Sequence, residues 1–342
     1  PPADCGEGGD NRLDVYVVDL SDEGALGIAS PETLVGDNPN TRVREFYAAY
    51  SFLMIDNDMD RTDGDPLDRV RETTAHEVHH NIQFGYDTND SYFGFYEAGA
   101  SWLETLVYPT IADVSYTAAE VFERPDVCIG YIDPGMRFNL RIYGEWLMID
   151  SFSQDLGRES YQFIWEYMAA NEGLNGFYRG LTELGTSPQQ VIERMAVRNL
   201  LWDYGLAKRF ENTVRIEATV RGPGLVSPRV SGVQQLSVDY VDFDELGLYT
   251  FEMLGNDALT LYIVGVDTTT HTARLYDLGR GGTVDTAQYD YAYAIIMNTD
   301  QHSDIDECEA VDWTLRVYDG EGDLVSQPDD EIWNAAEFVV PD

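Results

Sequence analysis

Lysine is nearly missing from this chain. Lys208 is the single one in 342 residues, and cationic side chains number 21 against 62 Asp and Glu, a formal net charge of -41. A surface so poor in positive charge repels phosphate backbones and anionic lipid, which excludes nucleic acid and charged membranes as partners. It favours solubility and cation binding at the cost of self-repulsion, as in halophilic or secreted acidic proteins. Long apolar runs are missing too: no stretch approaches the ~20 residues of a membrane-spanning helix. No basic and apolar leader precedes Pro1, and the expectation is a secreted protein whose signal peptide has been removed. Cysteine is scarce. Cys5, Cys128 and Cys308 allow one disulfide and one leftover thiol in three pairings, and their spacing fits no zinc motif. No G-x-S-x-G elbow occurs, and neither GEGGD nor GRGG sits between a strand and a helix as a phosphate loop would.

What is present divides in two. The length suggests two domains, and the hydrophobic content of 44% suits a globular protein. RLDVYVVDL (12–20) and FYAAYSFLMID (46–56) carry strand patterns. Asp65 then reads as an N-cap with Pro66 at the first helical position, and Gly85 as a stop, which predicts a helix over about 66–84. Helical spacing recurs over about 95–109, 138–153, 158–171 and 187–203. After Asn212 the pattern changes to short β-rich runs separated by Gly, Asn and Asp, the spacing of a β-sandwich. The boundary falls near 210.

Histidine supplies the chemistry. Five occur, and three of them (His76, His79 and His80) lie in TTAHEVHHNIQFGYD at 73–87. On a helix, at about 100° per residue, His76 and His80 project within about 40° of each other, so both imidazoles can reach one ion. Glu77 flanks them, close enough to touch a water on that ion. In this H-E-x-x-H arrangement zinc takes two histidines and a third protein ligand and keeps one position for water. Zinc lowers the water's pKa and the glutamate accepts its proton. Glu97, early in the next helix after a short loop, is the choice for third ligand; the reverse assignment with Glu104 stays open. Ser101 and Glu104 share the face of Glu97 and Gln83 shares that of the histidines, so these three are expected to support the ligands from behind. His79 lies about 60° around the helix from His76 and is expected to pack or hydrogen-bond. An electrophile for the oxyanion is also needed, and Tyr143 is the candidate.

HEVHHNIQ followed by YEAGASWLE resembles the gluzincin metallopeptidases, whose H-E-x-x-H helix is followed by one supplying a zinc-ligand Glu. More narrowly, LMIDNDMD, TTAHEVHHNIQFGYD, YEAGASWLETLVYP and YGEWLMIDSF, in that order, are similar to a group of secreted bacterial metalloproteases with an H-E-x-x-H-x-x-Q motif. The resemblance covers roughly residues 10–210 and implies His76, His80 and Glu97 as zinc ligands and Glu77 as general base. One departure stands out: Ser101 occupies the position where such enzymes often carry Asp, so no orienting partner for the histidines follows from it.

A second metal is suggested by DNDMDRTDGD, where Asp56, Asp58 and Asp60 alternate as hard oxygen donors suited to calcium. Arg61 and Leu67 break the EF-hand template. The expectation is therefore an α+β chain: a zincin-like metallopeptidase domain over 1–210 and an all-β sandwich accessory domain over 211–342. Its function would be zinc-dependent endopeptidase action on peptide or protein substrates. The competing expectation is a non-catalytic secreted or surface interaction protein with a structural zinc, closed by a fourth ligand such as His79.

Overall fold

A computed structural model of the chain describes residues 1–3, 6, 8–59, 64–110, 114–132, 140–205, 212–230, 232–305, 308–320, 323–325 and 332–341. Near the start, β1 (Val15–Val18), β2 (Gly27–Gly36) and β3 (Ala48–Asp56) form a sheet in the order β1-β3-β2. β1 runs parallel to β3, with Val15 opposite Leu53, and β2 runs antiparallel to it. Leu53 and Ile55 carry the apolar face of β3 into a cluster with Met59, Val70 and Val78. The sequence pattern does not announce β2, because Gly27, Pro31 and Gly36 read as breakers. An edge strand tolerates them: its outer N–H groups need no ladder partner, and register shifts at Pro31/Thr33 and Leu34/Gly36 absorb the irregularity.

α1 (Pro66–Gln83) starts as the sequence predicts, with Asp65 Oδ1 accepting from Leu67 N at 2.9 Å and Pro66 in the first turn. Then follow α2 (Phe93–Val107), α3 (Ser115–Glu123), α4 (Leu140–Gly144), α5 (Trp146–Leu156), α6 (Glu159–Met168) and α7 (Gly173–Glu183). Two departures from expectation have a physical cause. The helix expected over 138–153 is broken between α4 and α5 at Glu145, directly after Gly144, a poor helix former. α7 escapes a propensity reading because it holds Gly173, Gly176 and Gly180. Gly180 permits close packing, since a Cβ there would stand 3.2 Å from the Ile164 Cα on α6.

The chain forms two compact units, one mainly from Pro1–Ala118 and Pro134–Ser187, the other from Ala119–Asp133, Pro188–Gly205 and Glu211–Asp342. Thus α8 (Pro188–Leu201), which a cut at 210 assigns to the first part, belongs with the second. Its reasons are specific: Tyr240 donates its hydroxyl to the Ala196 carbonyl at 2.9 Å, and the guanidinium groups of Arg194 and Arg198 lie 4.8 and 5.2 Å from the Trp333 ring centre.

The second unit is otherwise β-rich. Its strands are β4 (Ile216–Val220), β5 (Gly224–Val226), β6 (Val233–Gln234), β7 (Ser237–Phe243), β8 (Leu248–Gly255), β9 (Leu259–Asp267), β10 (Thr272–Gly279), β11 (Gly281–Asp285), β12 (Tyr291–Asn298), β13 (Ala310–Val311), β14 (Trp313–Asp319) and β15 (Ile332–Asn334). One sheet has the order β15-β10-β9-β12-β7-β4, another β11-β8-β14-β5, and β13 pairs with β6. Val241, Ile263 and Ile296 from the first sheet share a core with Phe251, Leu315 and Val317 from the second. Period-2 alternation in the sequence builds this core, since every second side chain of a strand faces the same way. The fold class is mixed α+β. Among the described residues no helix is long and apolar enough to cross a membrane.

Candidate metal centre

Helix periodicity sets the first two donors. His76 and His80, one turn apart on α1, hold their ring centres 4.7 Å apart at an interplanar angle of 78°. α2 delivers Glu97, whose Oε2 lies 3.1 Å from His76 Nε2 and 3.5 Å from His80 Nε2. One ligand atom from each of the three residues falls within 4.8 Å of the other two.

Both imidazoles are fixed from behind. His76 Nδ1 lies 2.6 Å from Glu104 Oε1, and His80 Nδ1 lies 2.7 Å from Gln83 Oε1. The Gln83 amide has only one workable orientation, because its Nε2 donates to the Tyr96 carbonyl at 3.0 Å and Oε1 is left to accept. His80 therefore carries its proton on Nδ1 and its lone pair on Nε2. Glu104, an acceptor when ionised, favours the same tautomer in His76. Ser101 sits buried in the cavity wall; the sequence anticipated three supports and the structure brings two of them, Gln83 and Glu104, onto the ring nitrogens.

A further layer was not legible in the sequence. Gln83 Nε2 also lies 3.0 Å from the Tyr161 hydroxyl, which is 2.8 Å from His79 Nε2. Gly99 makes room for this, since a Cβ there would stand 1.8 Å from the Tyr161 oxygen. Burial, helped by the neighbouring His80 and His76, pushes His79 down to about 3, so it is a neutral ring bound to Tyr161 and stands outside the group formed by His76, His80 and Glu97. Tyr161 is one tyrosine among 22 and lies 78 residues beyond Gln83; only the fold pairs them.

Charge follows from this crowding. Burial would lower the pKa of His76, but its hydrogen bonds to Glu104 and Glu97 outweigh it and leave it well above the ordinary value. Burial would raise Glu97, but the imidazoles of His80 and His76 outweigh it and hold the carboxylate well below the usual range. Two imidazole nitrogens and one carboxylate oxygen, brought together with both Nδ1 positions occupied, make a donor set that fits zinc. Among the described residues no fourth side chain joins the group.

Glu77 follows His76 and reaches toward β2, where its carboxylate accepts from the Ala29 N–H. Burial raises its pKa and Glu97 adds to the rise, while His76, His80 and Ala29 pull the other way. β2 comes this close only because residue 27 is glycine: a Cβ there would stand 2.6 Å from Glu77 Cγ and from Thr73 Cγ2. Tyr143, from α4, hydrogen-bonds Glu97 and stacks its ring on His76 with centres 5.8 Å apart. Burial, then the charge of Glu97, raises its pKa and keeps the phenol protonated.

Two cavities flank these groups, and His76, Glu77 and Tyr143 border both. One, of about 290 Å³, is lined by Arg69, Glu72 and Glu104 together with the apolar Leu26, Val114 and Leu140. The other, of about 220 Å³, is walled by Ile28, Phe84, Phe93 and Tyr96.

The aspartate loop looks different. Asp56 is buried, with Oδ1 accepting from Leu20 N at 2.8 Å and Oδ2 from Met59 N at 3.2 Å, so it pins the end of β3 to the β1–β2 connection. Asp58 is exposed, Asp60 lies outside the described residues, and among those described no metal-ligating group gathers there. Cys128 and Cys308 form a disulfide, one of the three pairings open to the sequence; Cys5 lies outside the described residues. Compared with known protein families, curated proteins and solved structures, the chain has no match, so a functional reading rests on the geometry of this site.

Proposed function

We propose that the chain is a secreted zinc-dependent endopeptidase of the gluzincin type, with a zincin-like catalytic unit and a β-sandwich accessory unit. The observation that carries this reading is the approach of His76 Nε2, His80 Nε2 and Glu97 Oε2 to one another with Glu77 beside them. His76, His80 and Glu97 would hold the ion. When bound, zinc would supply a Lewis acid for the scissile carbonyl and an acidified water.

The chain's own residues do the rest. Glu77, with a pKa raised by burial, takes the proton of the attacking water and returns it to the leaving amine. Tyr143 keeps its phenolic proton and offers it as a hydrogen bond to the developing oxyanion. Glu104 and Gln83 hold both imidazoles in one tautomer. The cavity walled by Phe84, Phe93 and Tyr96 suits a large apolar substrate side chain on one side of the scissile bond. The disulfide supports an oxidising compartment.

The test compares zinc stoichiometry after dialysis with cleavage of an unfolded protein substrate. Glu77→Gln should retain zinc and lose about 10²-fold or more of the rate, because a base moves protons without holding the ion. Glu97→Ala should lose zinc and activity together. Wild-type protein that binds zinc, cleaves nothing and is unaffected by Glu77→Gln would leave the structural-zinc alternative standing.

A further inference from the structure

The second unit holds another convergence of metal-ligating side chains. Cys128 and Cys308, 6.3 Å apart between Cα atoms, are joined as a disulfide, and a ring nitrogen of His302 lies within 4.8 Å of both sulfurs. Cys128 and His302 are buried, whereas Cys308 is partly exposed. His302 Nε2 stands 3.0 Å from the Ile129 carbonyl. A carbonyl only accepts, so Nε2 carries the proton and Nδ1 the lone pair. An imidazole whose one nitrogen is held by a backbone carbonyl is oriented as histidine is in a metal site.

We propose that Cys128, Cys308 and His302 are a second metal site, closed by the disulfide and opened by reduction, which takes zinc or a similarly soft divalent ion. A dithiol delivers two electrons and two protons, the Sγ–Sγ bond breaks, and the reductant leaves as its cyclic disulfide. Metal binding then displaces the two thiol protons to solvent. Two thiolates at about 2.3 Å from a tetrahedral ion stand about 3.8 Å apart. The Cα separation of 6.3 Å accommodates this by rotation about the two Cα–Cβ bonds. Two sulfurs and one nitrogen leave a fourth position for water, and the exposed side of Cys308 gives the reductant and the ion access.

Cobalt(II) tests the proposal, because a thiolate-to-cobalt charge-transfer band in the near ultraviolet arises from sulfur alone and ignores the His76, His80 and Glu97 site. The full chain carrying Cys5→Ser, which removes the third thiol, is titrated oxidised and again after dithiol reduction and anaerobic desalting. Circular dichroism monitors the fold. The reduced protein should bind one more equivalent than the oxidised protein and gain the band. His302→Ala should weaken that added equivalent by about 10–100-fold, at least the loss that follows removal of an outer-shell partner. Adding Cys128→Ser should abolish the two-thiolate band. Equal stoichiometry in both states, a band indifferent to His302→Ala, or loss of the β-sheet signal on reduction would each overturn the proposal.

Discussion

At the scale of single residues, the sequence exposes the candidate metal ligands and conceals what steadies them. His76, His80 and Gln83 recur at helical spacing, so a 3.6-residue period by itself places them on one face. Tyr161 and Gly99 carry no such signal, because their importance depends on α2 and α6 meeting. Outer partners of this kind set metal affinity. Gln83→Ala and Glu104→Ala should each weaken zinc binding by about 10–100-fold, measured by competition with a chromophoric chelator, and Ser101→Ala should leave it nearly unchanged. Equal loss in all three would make the effect one of packing. A second residue-scale prediction concerns Asp239, which is fully buried and accepts from Trp313 Nε1 at 2.6 Å. Burial raises its pKa to about 7, with Asp126 and Glu217 adding and Trp313 and Arg215 opposing. Unfolded aspartate titrates near ~3.9, so the folded state binds this proton more tightly. The associated stability is complete below that value and is lost as pH rises through about 7. Asn at this position keeps an acceptor for Trp313 and removes the titration. Melting temperature should therefore fall from about pH 5 to pH 8 in wild type and fall less in Asp239→Asn, the difference being on the order of a few kcal/mol. Parallel curves would mean that Asp239 ionises without strain.

At the scale of elements, legibility tracks how local the cause is. α1 was readable end to end because Asp65, Pro66 and its apolar spacing all lie within it. β2 and α7 were not, since their glycines exist to let something else approach: the β2 edge onto α1 at Gly27, and α6 onto α7 at Gly180. The same reason explains α8, whose membership is decided by Trp333 and Tyr240 far along the chain. β2 is the element on which the proposed function depends most. Gly27→Ala would place a methyl group 2.6 Å from Glu77 Cγ, so either the strand or the base must move. Overpacking of this kind costs about 1–3 kcal/mol. The expected outcome is a cleavage rate reduced about 10-fold or more, as befits a displaced base, with zinc stoichiometry intact. Full activity in Gly27→Ala would show that the edge strand is not what fixes Glu77.

At the scale of the whole molecule, the excess of acid over base has two consequences of opposite sign. A net charge of -41 on 342 residues repels itself in the folded state. The charged pairs that the fold does make, such as Arg69–Glu72 and Arg215–Asp126, are too few to neutralise it. Raising sodium chloride from 0.1 to 1 M shortens the Debye length from about 10 Å to about 3 Å, which screens that repulsion. Melting temperature should rise, by roughly 2–4 °C for each kcal/mol relieved. Chloride is the right anion for this experiment, because sulfate would also strengthen apolar burial. Substrate capture should respond the other way. The field that destabilises the fold draws in cationic peptides and repels anionic ones, so kcat/KM for a Lys- and Arg-rich peptide should fall with salt, on the order of 10-fold. For an acidic peptide of equal length it should rise. A melting temperature independent of salt would show that the acids are dispersed too widely to interact. If the two peptides responded alike, the charge would lie away from the approach to His76, His80 and Glu97, and steering would play no part in the reaction.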